Sequence, residues 1–111
     1  VHLALLAYMS DLDFMSTSML PHGPLTADAN GDRTVQGASL DHAIWFHRPF
    51  RADEWLLFAK ESPNAGGARG FVRGHFFNRA GEMVATAAQE WLIRPVGAAR
   101  AALEAAQPSA T

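Results

Sequence analysis

The first part of the chain has the apolar periodicity of a helix. Asp11 and Asp13 are the only charged residues between positions 2 and 20, and Pro21 follows directly. Proline cannot continue the hydrogen bonds of a helix, and a helix that is apolar nearly all round is usually buried. The pattern therefore predicts one long buried helix over residues 2–20. Its apolar face comprises Leu3, Leu6, Ala7, Met9, Leu12, Phe14 and Met15.

Four segments after the helix have the composition of β-strands. Polar residues 25–33, with a strong turn signal at Asn30-Gly31-Asp32, separate them from the helix. Short connections between consecutive strands predict an antiparallel sheet. The predicted strands are residues 34–47, closed by Arg48-Pro49; residues 55–61, closed by Ser62-Pro63-Asn64; and residues 68–78 and 83–94, joined by a hairpin turn at residues 79–82.

One long helix followed by four antiparallel strands predicts an α+β architecture. A sheet curled around a single apolar helix buries both elements, and this arrangement is the hotdog fold. A complete hotdog domain has a strand before the helix, whereas this chain begins at the helix and without Met. We interpret residues 1–95 as a hotdog domain truncated at its N-terminus, and residues 96–111 as an alanine-rich tail that is a short exposed helix or disordered.

Composition excludes several classes of function. The 111 residues suit one globular domain, and a net charge of -2 gives no electrostatic footprint for nucleic acid. The absence of cysteine rules out disulfides and thiolate catalysis and fits a cytoplasmic location. No apolar run approaches the roughly 20 residues of a membrane helix. The five histidines lack metal-ligand spacing, so we predict no metal site.

Four motifs resemble those of the acyl-CoA thioesterase II family, in order and with fitting spacing over residues 1–94. They are YMSDL at residues 8–12, SLDHAIWFHRPF at residues 39–50, ARGFVRG at residues 68–74 and VATAAQE at residues 84–90. Full-length members of that family are double hotdogs, and these motifs belong to the second half. The resemblance implies hydrolysis of fatty acyl-CoA thioesters without a cofactor.

The resemblance also implies a catalytic set. In the family an aspartate, a threonine or serine, and a glutamine together hold a water, and these positions correspond to Asp11, Ser39 and Gln89. Many members have threonine where this chain has Ser39, which keeps the hydroxyl and loses a methyl group. Many have asparagine where this chain has Asp13, which alters the local charge.

The residues themselves are consistent with direct attack by water. A carboxylate accepts a proton from water, while a hydroxyl and a carboxamide fix its position, so no serine or cysteine nucleophile is needed. Gln89 shares a predicted strand face with Ala85 and Ala87, whose small side chains leave room beside a helix or an acyl chain, and Glu90 points the opposite way.

Strand alternation also constrains the SLDHAIWFHRPF motif at residues 39–50. If residues 34–47 form one regular strand, Ser39, Asp41, Ala43 and Trp45 share one face, and Leu40, His42, Ile44 and Phe46 share the other. Neighbouring Asp41 and His42 then cannot form a side-chain dyad. We predict that His42 is structural or lines the substrate site.

Arg69 and Arg73 share a face of the third predicted strand and could meet the phosphates of coenzyme A. They would equally suit a solvated face. Two other functions remain open on the residues alone: a hotdog dehydratase or hydratase acting on acyl thioesters, and a non-catalytic acyl-binding or scaffold half-domain. The edge left by the absent strand predicts a homo-oligomer joined through sheet edges, with Trp and Phe side chains in the interface.

Overall fold

The computed structural model describes residues 1–19 and 35–107. Its sheet is antiparallel, and β5 lies between β4 on one side and both β1 and β2 on the other, with β3 beyond β4. The hairpins follow the short connections that the sequence predicts. The strands are β1 (Val35–Ser39), β2 (Ala43–Phe46), β3 (Leu57–Gly66), β4 (Arg69–Phe77) and β5 (Met83–Pro95).

Helices α1 (His2–Asp11) and α2 (Met15–Met19) lie on one side of this sheet, which we call the inner face. Helix α2 contacts β3 and β4, and it lies close to the sheet because Gly70 has no side chain. A Cβ atom at Gly70 would lie 2.8 Å from Ser18 Oγ. The buried core consists of Leu6, Phe14, Val72, Phe76, Val84, Ala85 and Ala87.

The predicted single helix is divided at residues 12–14. Asp13 has a φ of 56°, in the left-handed region, which aspartate tolerates better than most residues and which a continuing helix excludes. The prediction that this helix is buried all round is also wrong, because Leu6 is buried while Leu3 and Leu5, also in α1, are 53% and 45% exposed. Position 20 lies outside the described residues.

The first predicted strand is likewise divided, into β1 and β2, which both pair with β5. Ser39 pairs with Trp91 and Ala43 pairs with Ala88. The chain therefore advances four residues from β1 to β2 while β5 advances only three. This one extra residue is a β-bulge, which reverses the face of every side chain beyond it. Position 34 lies outside the described residues.

Strand β3 runs past the proline that was expected to end it. The register between β3 and β4 shifts between Glu61 and Asn64, so Pro63 lies at an irregularity in the ladder. Proline has no N–H to give and is tolerated in edge strands and bulges, and β3 ends the sheet on its side within the described residues.

A hairpin turn and a C-terminal helix are also as the sequence predicts. The predicted hairpin turn at residues 79–82 is confirmed: Gly81 has a φ of 82°, and Asn78 N–H donates to the Glu82 carbonyl over 3.0 Å. The alanine-rich tail forms exposed helix α3 (Gly97–Ala106). None of the helices in residues 1–19 and 35–107 is long and apolar enough to cross a membrane. The predicted Asn30-Gly31-Asp32 turn lies outside those residues.

The β3–β4 turn contains Gly67 and Ala68, with φ values of 60° and 61°. Two consecutive positive φ angles suit a tight hairpin, but alanine in this region costs roughly 1–2 kcal/mol. We expect Ala68→Gly to raise the free energy of unfolding by about 0.5 kcal/mol, since relief of that strain exceeds the entropy cost of glycine. Urea unfolding of the two proteins measures the difference.

The matched control is Ala59→Gly, also exposed but within β3, where the same substitution should lower the free energy of unfolding by about 0.5–1 kcal/mol. Equal losses at both positions would contradict the proposed strain at Ala68.

Candidate active site

The bulge between β1 and β2 places Ser39 and His42 on the inner face together. Ser39 is opposite Trp91 in the ladder, so it shares the face of Gln89, two residues away on β5. Beyond the extra residue, Ile44 is opposite Ala87, which lies on the inner face. The even-numbered positions after the bulge, including His42, therefore face inward. The predicted alternation, with Ser39 and His42 on opposite faces, is therefore wrong, because it assumed one regular strand.

Gln89 is the buried polar group at the centre of this site. Its side chain is 1% exposed, beside Ala85 and Ala87, as the small-residue face predicted. Its Nε2 donates to Ser39 Oγ over 2.9 Å, and its Oε1 accepts from His42 Nδ1. Glu90 lies on the opposite face, the outer face, in an ion pair with Arg69. Both ends of a carboxamide that water cannot reach thus have protein partners.

His42 links this strand face to helix α1. Its Nε2 lies 2.8 Å from Ser10 Oγ, and Ser10 is fully buried in α1. The Phe14 ring packs edge-on against the imidazole, with the two ring centroids 6.1 Å apart. Ser10, His42, Gln89 and Ser39 therefore form one continuous hydrogen-bonded row from the helix to the sheet.

Asp11 lies beside this row, in the next position of α1. It lines an open cleft of about 550 Å³ together with Ser39 and His42, and its carboxylate is exposed. Within the described chain, Asp11 has no hydrogen bond to Ser39 or Gln89, so its carboxylate faces the cleft unpaired with them. The remaining lining residues are Ala7, Tyr8, Leu12, Leu40 and Asp41.

The second carboxylate of the cleft, Asp41, is engaged by the backbone. Its Oδ1 accepts from Glu90 N–H over 2.8 Å, and Leu40 N–H donates to the Glu90 carbonyl over 2.9 Å. These bonds satisfy the backbone at the bulge. The expectation that Asp41 and His42 form no dyad is confirmed, although the segment is not a regular strand.

Arg69 and Arg73 lie on the outer face, away from the cleft. Arg69 donates to Glu90 over 3.2 Å and Arg73 to Glu61. Both arginines and Glu61 are about half exposed or more and Glu90 is partly exposed, so these pairs contribute little to stability. Contact of either arginine with a phosphate stays a prediction, and the structure does not bring them to Ser39 and Gln89.

Ser10 is the site residue that the sequence interpretation missed. A serine inside an otherwise apolar helix is a weak signal, because serine disfavours helix interiors and usually bonds back to the preceding turn. Its Oγ does lie 2.8 Å from the Ala7 carbonyl. Its second partner, His42, is 32 positions away, and only the folded sheet reveals it.

No group of three or more potential metal ligands occurs in the parts of the chain that the structure describes. Among the described residues, the cleft offers the carboxylate of Asp11, which has no hydrogen bond to Ser39 or Gln89, and the hydroxyl of Ser39, which Gln89 holds from the buried side. This set can hold a water and accept a proton from it.

Comparison with known proteins identifies relatives of the whole arrangement. The family model described as acyl-CoA thioesterase matches residues 1–92. Acyl-coenzyme A thioesterase 8 of Mus musculus is 46% identical over 94 residues, which are 85% of this chain and 28% of that protein. Acyl-CoA thioesterase 2 of Haemophilus influenzae is 45% identical over 92 residues, or 81% of this chain and 30% of that protein.

A solved structure agrees with these relatives. The acyl-CoA thioesterase II TesB2 of Mycobacterium marinum superposes with a TM-score of 0.75 at 45% identity, covering 87% of this chain and 36% of that one. The chain thus spans about a third or less of the length of the proteins it matches.

Proposed function

Because the chain belongs to the acyl-CoA thioesterase family and has the hotdog fold, we propose that it hydrolyses fatty acyl-CoA thioesters to free fatty acid and coenzyme A by direct attack of water. The observation that carries the proposal is the Gln89–Ser39 hydrogen bond on the inner face, at a cleft that Asp11 also lines. Family membership, the fold and this geometry support one reaction.

In the proposed mechanism, Ser39, held in place by Gln89, orients the water and Asp11 accepts its proton. Gln89 Nε2 donates to Ser39 Oγ, which leaves the serine hydrogen and its second lone pair for the water. The water oxygen bonds to the thioester carbon, the carbon–sulfur bond breaks, and the proton held by Asp11 passes to the departing thiolate. Positioning of the water supplies much of the rate increase.

The cleft also supports an apolar acyl substrate. Leu12 and Leu40 line it and are 55% and 50% exposed, so an acyl chain packed between them would shield both from water. His42 lines the same cleft, whereas Arg69 and Arg73 would reach the phosphates of coenzyme A only from the outer face.

The geometry disfavours the alternative of a hotdog hydratase. That reaction requires a histidine free to exchange a proton with the substrate, and both ring nitrogens of His42 already face Ser10 and Gln89.

A cytoplasmic location stays a prediction.

We also propose assembly through the edge of the sheet. Strand β3 pairs with β4 on one side, and within the described residues no strand pairs with its other side. Leu57 on β3 and Trp55 just before it are 64% and 76% exposed. An exposed edge with apolar side chains invites pairing with a second copy about a two-fold axis.

The catalytic set generates the first functional prediction. In the intact protein, Asp11→Asn should lower kcat for palmitoyl-CoA about 10²- to 10⁴-fold, because the amide cannot accept the water's proton. Ser39→Ala and Gln89→Ala should also lower kcat, and combined losses should be smaller than the product of the single ones. Release of free thiol measures turnover.

Asp13→Asn is the matched control for Asp11→Asn. It makes the same substitution two positions away, at an exposed carboxylate whose left-handed backbone asparagine also adopts. It should keep the parent activity. Parent activity in Asp11→Asn would overturn the assignment, and a series of acyl-CoA lengths would show the substrate preference.

Position 39 allows a test of the hydroxyl itself. Ser39→Thr keeps the hydroxyl and favours a strand, so it should retain activity, whereas Ser39→Ala should lose it. An inactive threonine variant beside an active alanine variant would show that this hydroxyl does not hold the water.

Assembly is testable on the chain itself by light scattering at micromolar concentration. We expect a dimer, and Leu57→Lys should shift it toward monomer, because a charge on an edge strand opposes pairing. The control Leu103→Lys changes a leucine that is 49% exposed on α3, away from the edge, and should leave the dimer intact. A monomeric parent chain would refute edge pairing.

A further inference from the structure

The carboxamide of Gln89 presents an orientation problem. The terminal torsion of glutamine is broad and roughly two-fold, so its oxygen and nitrogen ends interchange with little intrinsic preference. Gln89 is 1% exposed, and water cannot stabilise either orientation. Its protein partners must therefore select which end faces Ser39.

Ser39 cannot make this selection, because a hydroxyl both donates and accepts and so suits either end of the amide. The imidazole of His42 makes it when its Nδ1 carries a hydrogen, because Nδ1–H can only donate. A carboxamide oxygen only accepts, so the contact between His42 Nδ1 and Gln89 Oε1 requires a hydrogen on Nδ1. With Oε1 held there, Nε2 faces Ser39 Oγ at 2.9 Å.

Ser10 can satisfy His42 Nε2 whether or not that nitrogen carries a hydrogen. Its Oγ lies 2.8 Å from His42 Nε2 and 2.8 Å from the Ala7 carbonyl. When the ring is neutral, Ser10 donates to Nε2. When the ring carries both protons, Nε2 donates to Ser10 and Ser10 donates to Ala7. In both cases it is the contact with Gln89 Oε1, and not Ser10, that requires the hydrogen on Nδ1.

We propose that His42, supported by Ser10, is a positioning residue that fixes the orientation of the Gln89 amide and thereby of the Ser39 hydroxyl. The inference rests on the proposed hydrolysis of acyl-CoA and adds a role within it. His42 acts through Gln89 and does not itself exchange a proton with the substrate.

Two substitutions separate the ring nitrogens. In His42→Asn, the side-chain NH₂ takes the place of Nδ1 and can still donate to Gln89. In His42→Gln, the amide reaches the place of Nε2 and leaves the Nδ1 place without a donor. We expect His42→Gln to lower kcat about 10- to 100-fold, because the Gln89 amide and the Ser39 hydroxyl lose their orientation, with little change in KM. His42→Asn should recover most of that loss in kcat.

The control is His47→Gln, which alters a histidine hydrogen-bonded to Thr86 on the outer face at 2.8 Å, and it should keep the parent kcat. Placed in a Gln89→Ala background, His42→Gln should add no further loss, because its effect passes through Gln89. Equal losses in His42→Asn and His42→Gln, or full additivity with Gln89→Ala, would overturn the proposal.

The ring state is measurable without activity. Long-range proton–nitrogen NMR of ¹⁵N-histidine-labelled protein, with the His42 signals assigned by their loss in His42→Asn, should show a hydrogen on Nδ1. A neutral ring with its hydrogen on Nε2 alone would refute the inference. Parent activity in Asp11→Asn would instead refute the proposed function, so the two failures are distinguishable.

Discussion

A buried carboxamide that must have all its hydrogen bonds is the constraint on which this site depends. Gln89 lies on the central strand, 1% exposed, and an unpaired amide there would cost about 1–3 kcal/mol. Its two partners, Ser39 and His42, are an odd number of positions apart. A regular strand would bring only one of them to the amide, so the β-bulge is a requirement of the site.

Asp41 explains how the fold tolerates that irregularity. Between β1 and β2 the pairing with β5 is interrupted, and there the carboxylate of Asp41 accepts a hydrogen bond from the backbone N–H of Glu90. The extra residue therefore leaves no unpaired donor at Glu90. The two aspartates of the cleft thus differ in role: Asp41 maintains the backbone geometry, whereas the carboxylate of Asp11 has no hydrogen-bond partner among residues 1–19 and 35–107.

The sequence predicted the order of helix and strands, the turn at residues 79–82 and the small-residue face of Gln89, because these follow from local periodicity and turn chemistry. It did not predict the bulge between Ser39 and Ala43, since one added residue leaves no compositional trace and appears only in pairing with β5. The left-handed Asp13 and the bond between Ser10 and His42 were missed for the same reason: tertiary contacts decide both.

The helix break at residues 12–14 separates two elements that are anchored to different degrees. Helix α2 packs closely on β3 and β4, while α1 buries only Leu6 and Ser10 among its residues. Segments with few buried contacts open locally at a lower free energy than the whole domain. Opening of α1 would remove Asp11 and Ser10 together and leave Ser39 and Gln89 on the sheet. The site is thus complete only while its least anchored helix is closed, and an acyl chain packed against Leu12 would stabilise that closed state.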